Sequence, residues 1–431
     1  MTLKSVSDSI NNNKEANMND LYEALCDFIN DYNGNLIEGY DIKKNKNSKL
    51  SLMIIREHVY HMVRSIRTIK LTENNVNYYV LKTDSPDKIK LFICYIIFYF
   101  VDAIHLNNYY VGVDFEFNQR KIALCQLSFY PKRNKKIIFV IDPNFFSTQQ
   151  LDILVKCVFT APIKKIVHGS DSLDIPYIYE ELLRSNISDM LKFIKNVIDT
   201  RFLCESVKLY YNEDKKCSIY DAMLYFNTIN KSKYDELNQI NDSMGPVQDI
   251  NWVLAKMSSF NLKYATYDVL FLKDFLNDIF KKVANDKKIK KTLKLIIELT
   301  HFVFLEKYNI LTLSSDAKKT TDPMNNYLIK IDNGNKSIIS IYNDCIEHVN
   351  LKNIILKNLL GINYFKSTLT FVLKLIVYYN INNKHTVYMN KHDTFNGKIS
   401  IRNIFAELNN LKMKKMHKFF AEFHKSIKKE I

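Results

Sequence analysis

Residues Val111 to Phe117 read VGVDFEF, an apolar run that carries two acids two positions apart. Side chains at i and i+2 of a strand point to the same face. Asp114 and Glu116 would therefore project together, with Val113, Phe115 and Phe117 turned toward a core on the other side. Two carboxylates on one face of a packed sheet repel each other and lose hydration, which is costly unless a cation neutralises them. Hard oxygen donors of this kind suit Mg²⁺ or Mn²⁺. An edge strand with its acids in water would show the same letters, so the pair needs partners elsewhere in the chain.

Outward from this run, strand and helix signals alternate. Ile122 to Phe129 (IALCQLSF) reads as a second strand, and the polar NQRK between the two runs predicts a hairpin. Ile137 to Ile141 (IIFVI) is a third strand, Tyr78 to Leu81 (YYVL) a short one upstream, and Lys88 to His105 a helix between. Downstream, Thr148 to Phe159 is helical, Ile166 to His168 opens another strand, and helices are expected to about Lys282. Near the N-terminus, helices are expected over Met18 to Asn30 and Leu50 to Lys70. The second directs Ile54, Val59 and Val63 inward and Arg56, Arg64, Arg67 and Lys70 into solvent. A meander followed by strand–helix units predicts an α/β domain with a mixed sheet.

Two further segments carry acids. Lys165 to Ile178 (KIVHGSDSLDIPYI) runs from a strand through a glycine turn into a helix beginning around Ser172. Asp171 and Asp174 each stand where a third carboxylate would reach the end of the strand, although the helix dipole alone also favours an acid there. In Leu262 to Leu272 (LKYATYDVLFL), Tyr264 and Asp268 are i and i+4 and share a helix face, with Ala265, Val269 and Leu272 forming the buried stripe.

The whole chain has 431 residues, 47% hydrophobic and 25% charged, so it is long enough for two or three domains and too apolar for wholesale disorder. Its formal net charge of +15 suits a polyanion such as nucleic acid. The seven cysteines form no zinc-spaced cluster, and free thiols in a reducing compartment are expected. The polar N-terminus is unlike a secretory signal, and the longest apolar run, Leu91 to Val101, is too short for a bilayer. A soluble intracellular protein without a membrane partner follows, with cytoplasm, nucleus and viral factory all open. Three parts are expected: a helical N-terminal extension (1–75), the α/β domain (76–285) and a mostly helical, basic C-terminal domain (286–431). The last has apolar periodicity in Leu293 to Glu306 and Leu351 to Tyr379 and a basic amphipathic stretch from Lys412 to Lys429. A lysine run (Lys281, Lys282, Lys287, Lys288, Lys290, Lys291) precedes it, and no P-loop is present.

Taken in order, DxE on a strand, an Asp after an HG turn and YxxxD on a helix resemble the DEDD 3′→5′ exonucleases. The tyrosine marks the DEDDy branch, and the ribonuclease D-like group is the nearest resemblance. ALCQLS (Ala123 to Ser128) is similar to that group's second strand, Ile198 to Thr200 (IDT) to its DT helix start, and Trp252 to its tryptophan upstream of the third motif. The resemblance covers about 76–285. Where the family's spacing after the histidine would put its Asp, this chain has Leu173; the following DIPYI assigns the role to Asp174 with a one-residue insertion, and Asp171 is the competing position. Around Trp252 the family's arginines and proline are replaced by WVLAKMSSF, so substrate contacts there do not carry over.

The resemblance implies a ribonuclease H-like mixed β-sheet flanked by helices, with helical N-terminal and C-terminal extensions. It implies two divalent ions, Mg²⁺ or Mn²⁺, held by Asp114, Glu116, Asp174 and Asp268, with Asp114 shared between them and Tyr264 orienting the attacking water. The implied reaction removes nucleoside 5′-monophosphates from the 3′ end of single-stranded RNA or DNA. The alternative is a nucleic-acid-binding scaffold that keeps the fold without turnover; the presence of all four acids and the tyrosine favours turnover.

Overall fold

The computed structural model describes residues 2–300 except for short stretches, among them 13–15, 36–45, 107–108, 131–135, 171–173, 214–216, 246–249 and scattered positions from 288 on. Residues 301–431 lie outside the described residues, as do Asp171, Arg67, Lys288, Lys291 and the helices expected at Leu351 to Tyr379 and Lys412 to Lys429. Residues 1–200 and 219–278 cluster as one compact unit, and Arg201–Ser218 groups with the chain from Ile279 in a second.

The strands are β1 (Ile69–Glu73), β2 (Val76–Lys82), β3 (Tyr110–Asn118), β4 (Lys121–Phe129), β5 (Lys136–Ile141), β6 (Lys164–Val167) and β7 (Val197–Asp199). They form a seven-stranded sheet in the order β1-β2-β5-β4-β3-β6-β7. β3, β4 and β5 are the expected antiparallel meander, while β6 and β7 run parallel to β3 on its other side. This is the mixed, ribonuclease H-like sheet, extended at one edge by β2, parallel to β5, and by β1. In the turn after β3, Gln119 takes a left-handed backbone (φ 47°), and Asn118 pairs with Lys121 to close the hairpin.

The helices are α1 (Leu3–Asn11), α2 (Met18–Asn35), α3 (Lys46–Ser65), α4 (Pro86–Leu106), α5 (Thr148–Leu154), α6 (Asp174–Tyr177), α7 (Ile187–Ile194), α8 (Thr200–Tyr210), α9 (Ile219–Tyr225), α10 (Lys231–Met244), α11 (Ser259–Leu270) and α12 (Leu272–Lys282). The apolar run Leu91 to Val101 is buried all round because α4 is covered on two sides. Phe92 packs on Phe139 of β5 (ring centroids 4.9 Å apart) and Tyr99 on Phe129 of β4 (4.5 Å), while α2 and α3 pack on α4 from outside. Arg56 of α3, although partly exposed, forms an ion pair with Asp102 of α4 at 2.7 Å. Among the described residues no helix is long and apolar enough to cross a membrane.

Three sequence expectations are corrected. Lys70 does not end a helix: α3 stops at Ser65, and IKLTE, with its alternating pattern, pairs antiparallel with β2. Val197–Asp199 lies in a stretch expected to be helical but completes a parallel ladder with β6; three residues are too few for a periodicity signal. Cys204 and Cys217 are joined in a disulfide, whereas Cys26, Cys94, Cys125 and Cys157 are free and buried.

Candidate metal centre

β3 alternates as its sequence dictates. Phe115 is buried and its ring lies 6.3 Å from that of Phe159, while Asp114 (half-buried) and Glu116 (4% exposed) point to the opposite face. α11 covers that face, packing on β3, β4 and β5. Its N-terminus is capped by Ser258, whose Oγ accepts from Asn261 N–H at 3.0 Å. One turn brings Tyr264 and Asp268 into register, so that Asp268 meets the two strand acids. A carboxylate oxygen from each of Asp114, Glu116 and Asp268 lies within 4.8 Å of the others.

The close approach depends on Gly112. A Cβ there would stand 3.0 Å from the Val269 carbonyl oxygen and 3.2 Å from the Tyr130 hydroxyl, which itself donates to Val269 O at 2.7 Å. At the other end of β3, Asn118 exchanges two hydrogen bonds with the Trp252 backbone: Asn118 Nδ2 donates to Trp252 O (2.8 Å) and Trp252 N–H donates to Asn118 Oδ1 (2.9 Å). Trp252 is buried and its ring stacks near Tyr264 at 6.1 Å. The register of β3 with β4 shifts between Glu116 and Phe117, leaving Ala123 as the extra residue; such bulges re-aim side chains.

The third acid comes from the HG turn. Gly169 has φ 69°, and its N–H donates to Asp199 Oδ1 (2.9 Å), while Ser170 N–H donates to Asp199 Oδ2 (3.2 Å). Thr200 Oγ1–H donates to Val167 O, leaving its oxygen to meet His168 Nδ1 at 2.9 Å. The IDT segment therefore holds the turn that leads to α6, whose first residue is Asp174. Asp174 is half-buried and outside the 4.8 Å group, but its charge helps raise the pKa of both Asp114 and Glu116. His168 is a turn residue, with its ring 5.9 Å from that of Phe275.

Burial, then the neighbouring acids, push the Asp114 and Glu116 carboxyls well above the usual carboxylate range. Asp268 is pushed up to about 6 by burial, with a hydrogen bond from Tyr220 acting the other way. Among the described residues no lysine or arginine pairs with these three acids. Their side-chain donors are Gln126 Nε2 to Glu116 Oε1 (3.4 Å) and the Tyr220 hydroxyl to Asp268 Oδ1 (2.7 Å), and the Phe115 backbone N–H donates to Asp114. Burial, Asp268, Glu116 and Asp114 all raise the Tyr264 phenol, which is thereby kept as a donor. Three uncompensated carboxylates offering hard oxygens in a half-buried site fit a divalent cation.

Sequence reasoning missed Tyr220, Gln126, Gly112 and Asn118. Gln126 stands inside the recognised ALCQLS, and Gly112 inside VGVDFEF. Nothing in the sequence links Tyr220 with Asp268, which lies 48 positions away.

In sequence the chain is 33% identical over 378 residues to "Uncharacterized protein L533" of Acanthamoeba polyphaga mimivirus, covering 83% of this chain and 74% of that one. No family model matches. Among solved structures it is similar to the Aedes aegypti Nibbler EXO domain, at 16% identity and a TM-score of 0.34 over 54% of this chain and 99% of that one. It is also similar to Brucella melitensis NrnC bound to pGG, at 16% identity and a TM-score of 0.31 over 48% and 88% of the two chains.

Proposed function

We propose that this chain, which belongs to the same family as the mimivirus protein L533, is a metal-dependent 3′→5′ exonuclease acting on single-stranded nucleic acid. The observation that carries the reading is the convergence of Asp114, Glu116 and Asp268 within 4.8 Å without a balancing cationic side chain among the described residues. Asp114, Glu116 and Asp268 would hold one divalent ion, and Asp114 with Asp174 a second. Bound there, Mg²⁺ or Mn²⁺ would supply positive charge for the scissile phosphate and a more acidic water.

The chain's own groups do the rest. The carboxylates fix where the phosphate must sit. Tyr264, kept protonated by its surroundings, donates a hydrogen bond that orients the attacking water and cannot take its proton. Trp252 and Asn118 hold Tyr264 in place from the end of β3. The products are nucleoside 5′-monophosphates. The catalytic domain would take in about 76–285 together with β1, with α1, α2 and α3 as a helical N-terminal extension, and the basic segments from 286 on would add affinity for phosphates.

The test is digestion of 5′-labelled single-stranded RNA and DNA with Mg²⁺ or Mn²⁺, beside an EDTA control and an Asp114→Ala/Glu116→Ala protein. The expected result is a ladder that shortens from the 3′ end and disappears in both controls. No shortening of either polymer, with binding retained, would instead identify a scaffold that uses the fold without turnover.

A further inference from the structure

The Asp268 carboxylate is the one acid of the three-carboxylate group supplied by a helix, and it is held by a residue outside all the recognised motifs. Tyr220 is 7% exposed, and its hydroxyl donates to Asp268 Oδ1 at 2.7 Å. Buried tyrosine hydroxyls need a partner, and here the partner is a prospective metal ligand. The helix that carries Tyr220 is itself fixed: the Tyr234 hydroxyl of α10 donates to Asp221 Oδ1 at 2.7 Å, and Phe226, just beyond α9, packs on Phe275 of α12 with ring centroids 5.7 Å apart. Tyr220 is thus a preset donor, and Asp268 Oδ2 receives no protein donor among the described residues.

A carboxylate can give a cation one oxygen or two. Ca²⁺ readily accepts two from one group within a coordination shell of six to eight oxygens, whereas Mg²⁺ and Mn²⁺ sites prefer octahedral arrays of single oxygens. With Oδ1 engaged by a short hydrogen bond, Asp268 is left to offer Oδ2 alone. We propose that Tyr220 is a positioning residue that makes Asp268 a one-oxygen ligand and so biases the centre toward Mg²⁺ and Mn²⁺ over Ca²⁺. This rests on the metal-centre reading above. Tyr220 touches neither substrate nor reacting atoms and acts only through Asp268.

The test is Mn²⁺ titration of the full chain, followed by electron paramagnetic resonance, with Ca²⁺ as competitor. Tyr220→Phe removes the hydroxyl and little else; it should weaken Mn²⁺ binding about tenfold, the size of effect seen when a metal ligand loses its hydrogen-bonding partner. It should also move the Ca²⁺-to-Mn²⁺ preference toward Ca²⁺. Tyr234→Phe loosens the same helix without touching Asp268 and should shift both readouts less than Tyr220→Phe does. Tyr220→His keeps a ring and an N–H donor; it should stay near wild type and carries the comparison if the Phe variant does not fold. Wild-type affinity and preference in Tyr220→Phe, an equal shift in Tyr234→Phe, or a loss in a folded Tyr220→His would each overturn the proposal. Absence of Mn²⁺ binding in the wild type would overturn the metal-centre reading and this proposal together, whereas normal wild-type binding with a silent Tyr220→Phe overturns only this one.

Discussion

Asp114, Glu116 and Asp268 are each easier to protonate in the fold than in an unfolded chain, which fixes the sign of their effect on stability. A carboxylate whose folded pKa is raised stabilises the fold below its unfolded value near 4 and loses that contribution as pH climbs through the folded value. For Asp268 the loss runs from about 4 to about 6, and for Asp114 and Glu116 it extends higher. The metal-free protein should therefore be less stable, with a lower Tm, at about pH 8 than at about pH 5. Mg²⁺ or Mn²⁺ should raise the Tm again at the higher pH, through a stabilisation of about 2.7 kcal/mol at a hundredfold excess over Kd. Asp114→Asn should raise the metal-free Tm at that pH and abolish the response to the ion. Thermal scans of both proteins with EDTA and with metal decide this, and a wild-type Tm blind to metal would count against it. Tyr264→Phe should keep its Mn²⁺ affinity but lose about 10²-fold in kcat, because a water out of line by a fraction of its own diameter reacts poorly. Single-turnover kinetics beside a metal titration separate the two effects.

The elements that bring these residues together depend on close fits. Gly112→Ala would press a Cβ against the Val269 carbonyl and the Tyr130 hydroxyl, so α11 must give by a few tenths of an ångström. The expected cost is about 1–3 kcal/mol in urea unfolding, the usual penalty for overpacking, together with weaker Mn²⁺ binding because Asp268 moves with the helix. Full retention of both would mean that α11 does not need this approach. Asn118→Ala removes two hydrogen bonds to Trp252 and should cost about 1–3 kcal/mol, with a fall in kcat through Tyr264 and little change in metal affinity. Asp114, Glu116 and Asp268, which meet in the fold, were legible through the ordered resemblance to the DEDD exonucleases, since the i, i+2 spacing on β3 and the i, i+4 spacing on α11 are each weak signals alone. The meander was legible from runs of apolar alternation broken by NQRK. Gly112 gave no signal, because its role is the approach of a helix some 150 positions downstream. β1 was hidden by its neighbour α3, whose helical period was extended across a short break, and β7 by its length. The Cys204–Cys217 pair was invisible because spacing alone does not say which cysteines meet.

For the whole molecule, a net charge of +15 predicts that affinity for single-stranded oligonucleotides falls linearly on a log–log scale with salt. A slope steeper than about −2, corresponding to roughly three or more neutralised phosphates, is expected by fluorescence anisotropy with metal withheld; a flat response would remove the basic surface from the account. The ribonuclease H-like sheet sets the frame: β3, interior between β4 and β6, delivers two acids, the parallel β6 delivers the turn before the third, and α11 crosses the same face with the fourth. This crossing is the proposed metal centre. Anomalous diffraction from crystals soaked in Mn²⁺ tests it most directly. A metal centre at this crossing gives a Mn²⁺ peak about 2.1–2.2 Å from oxygens of Asp114, Glu116 and Asp268, lost in Asp114→Ala/Glu116→Ala crystals. A fully soaked crystal with no peak between these carboxylates would contradict it.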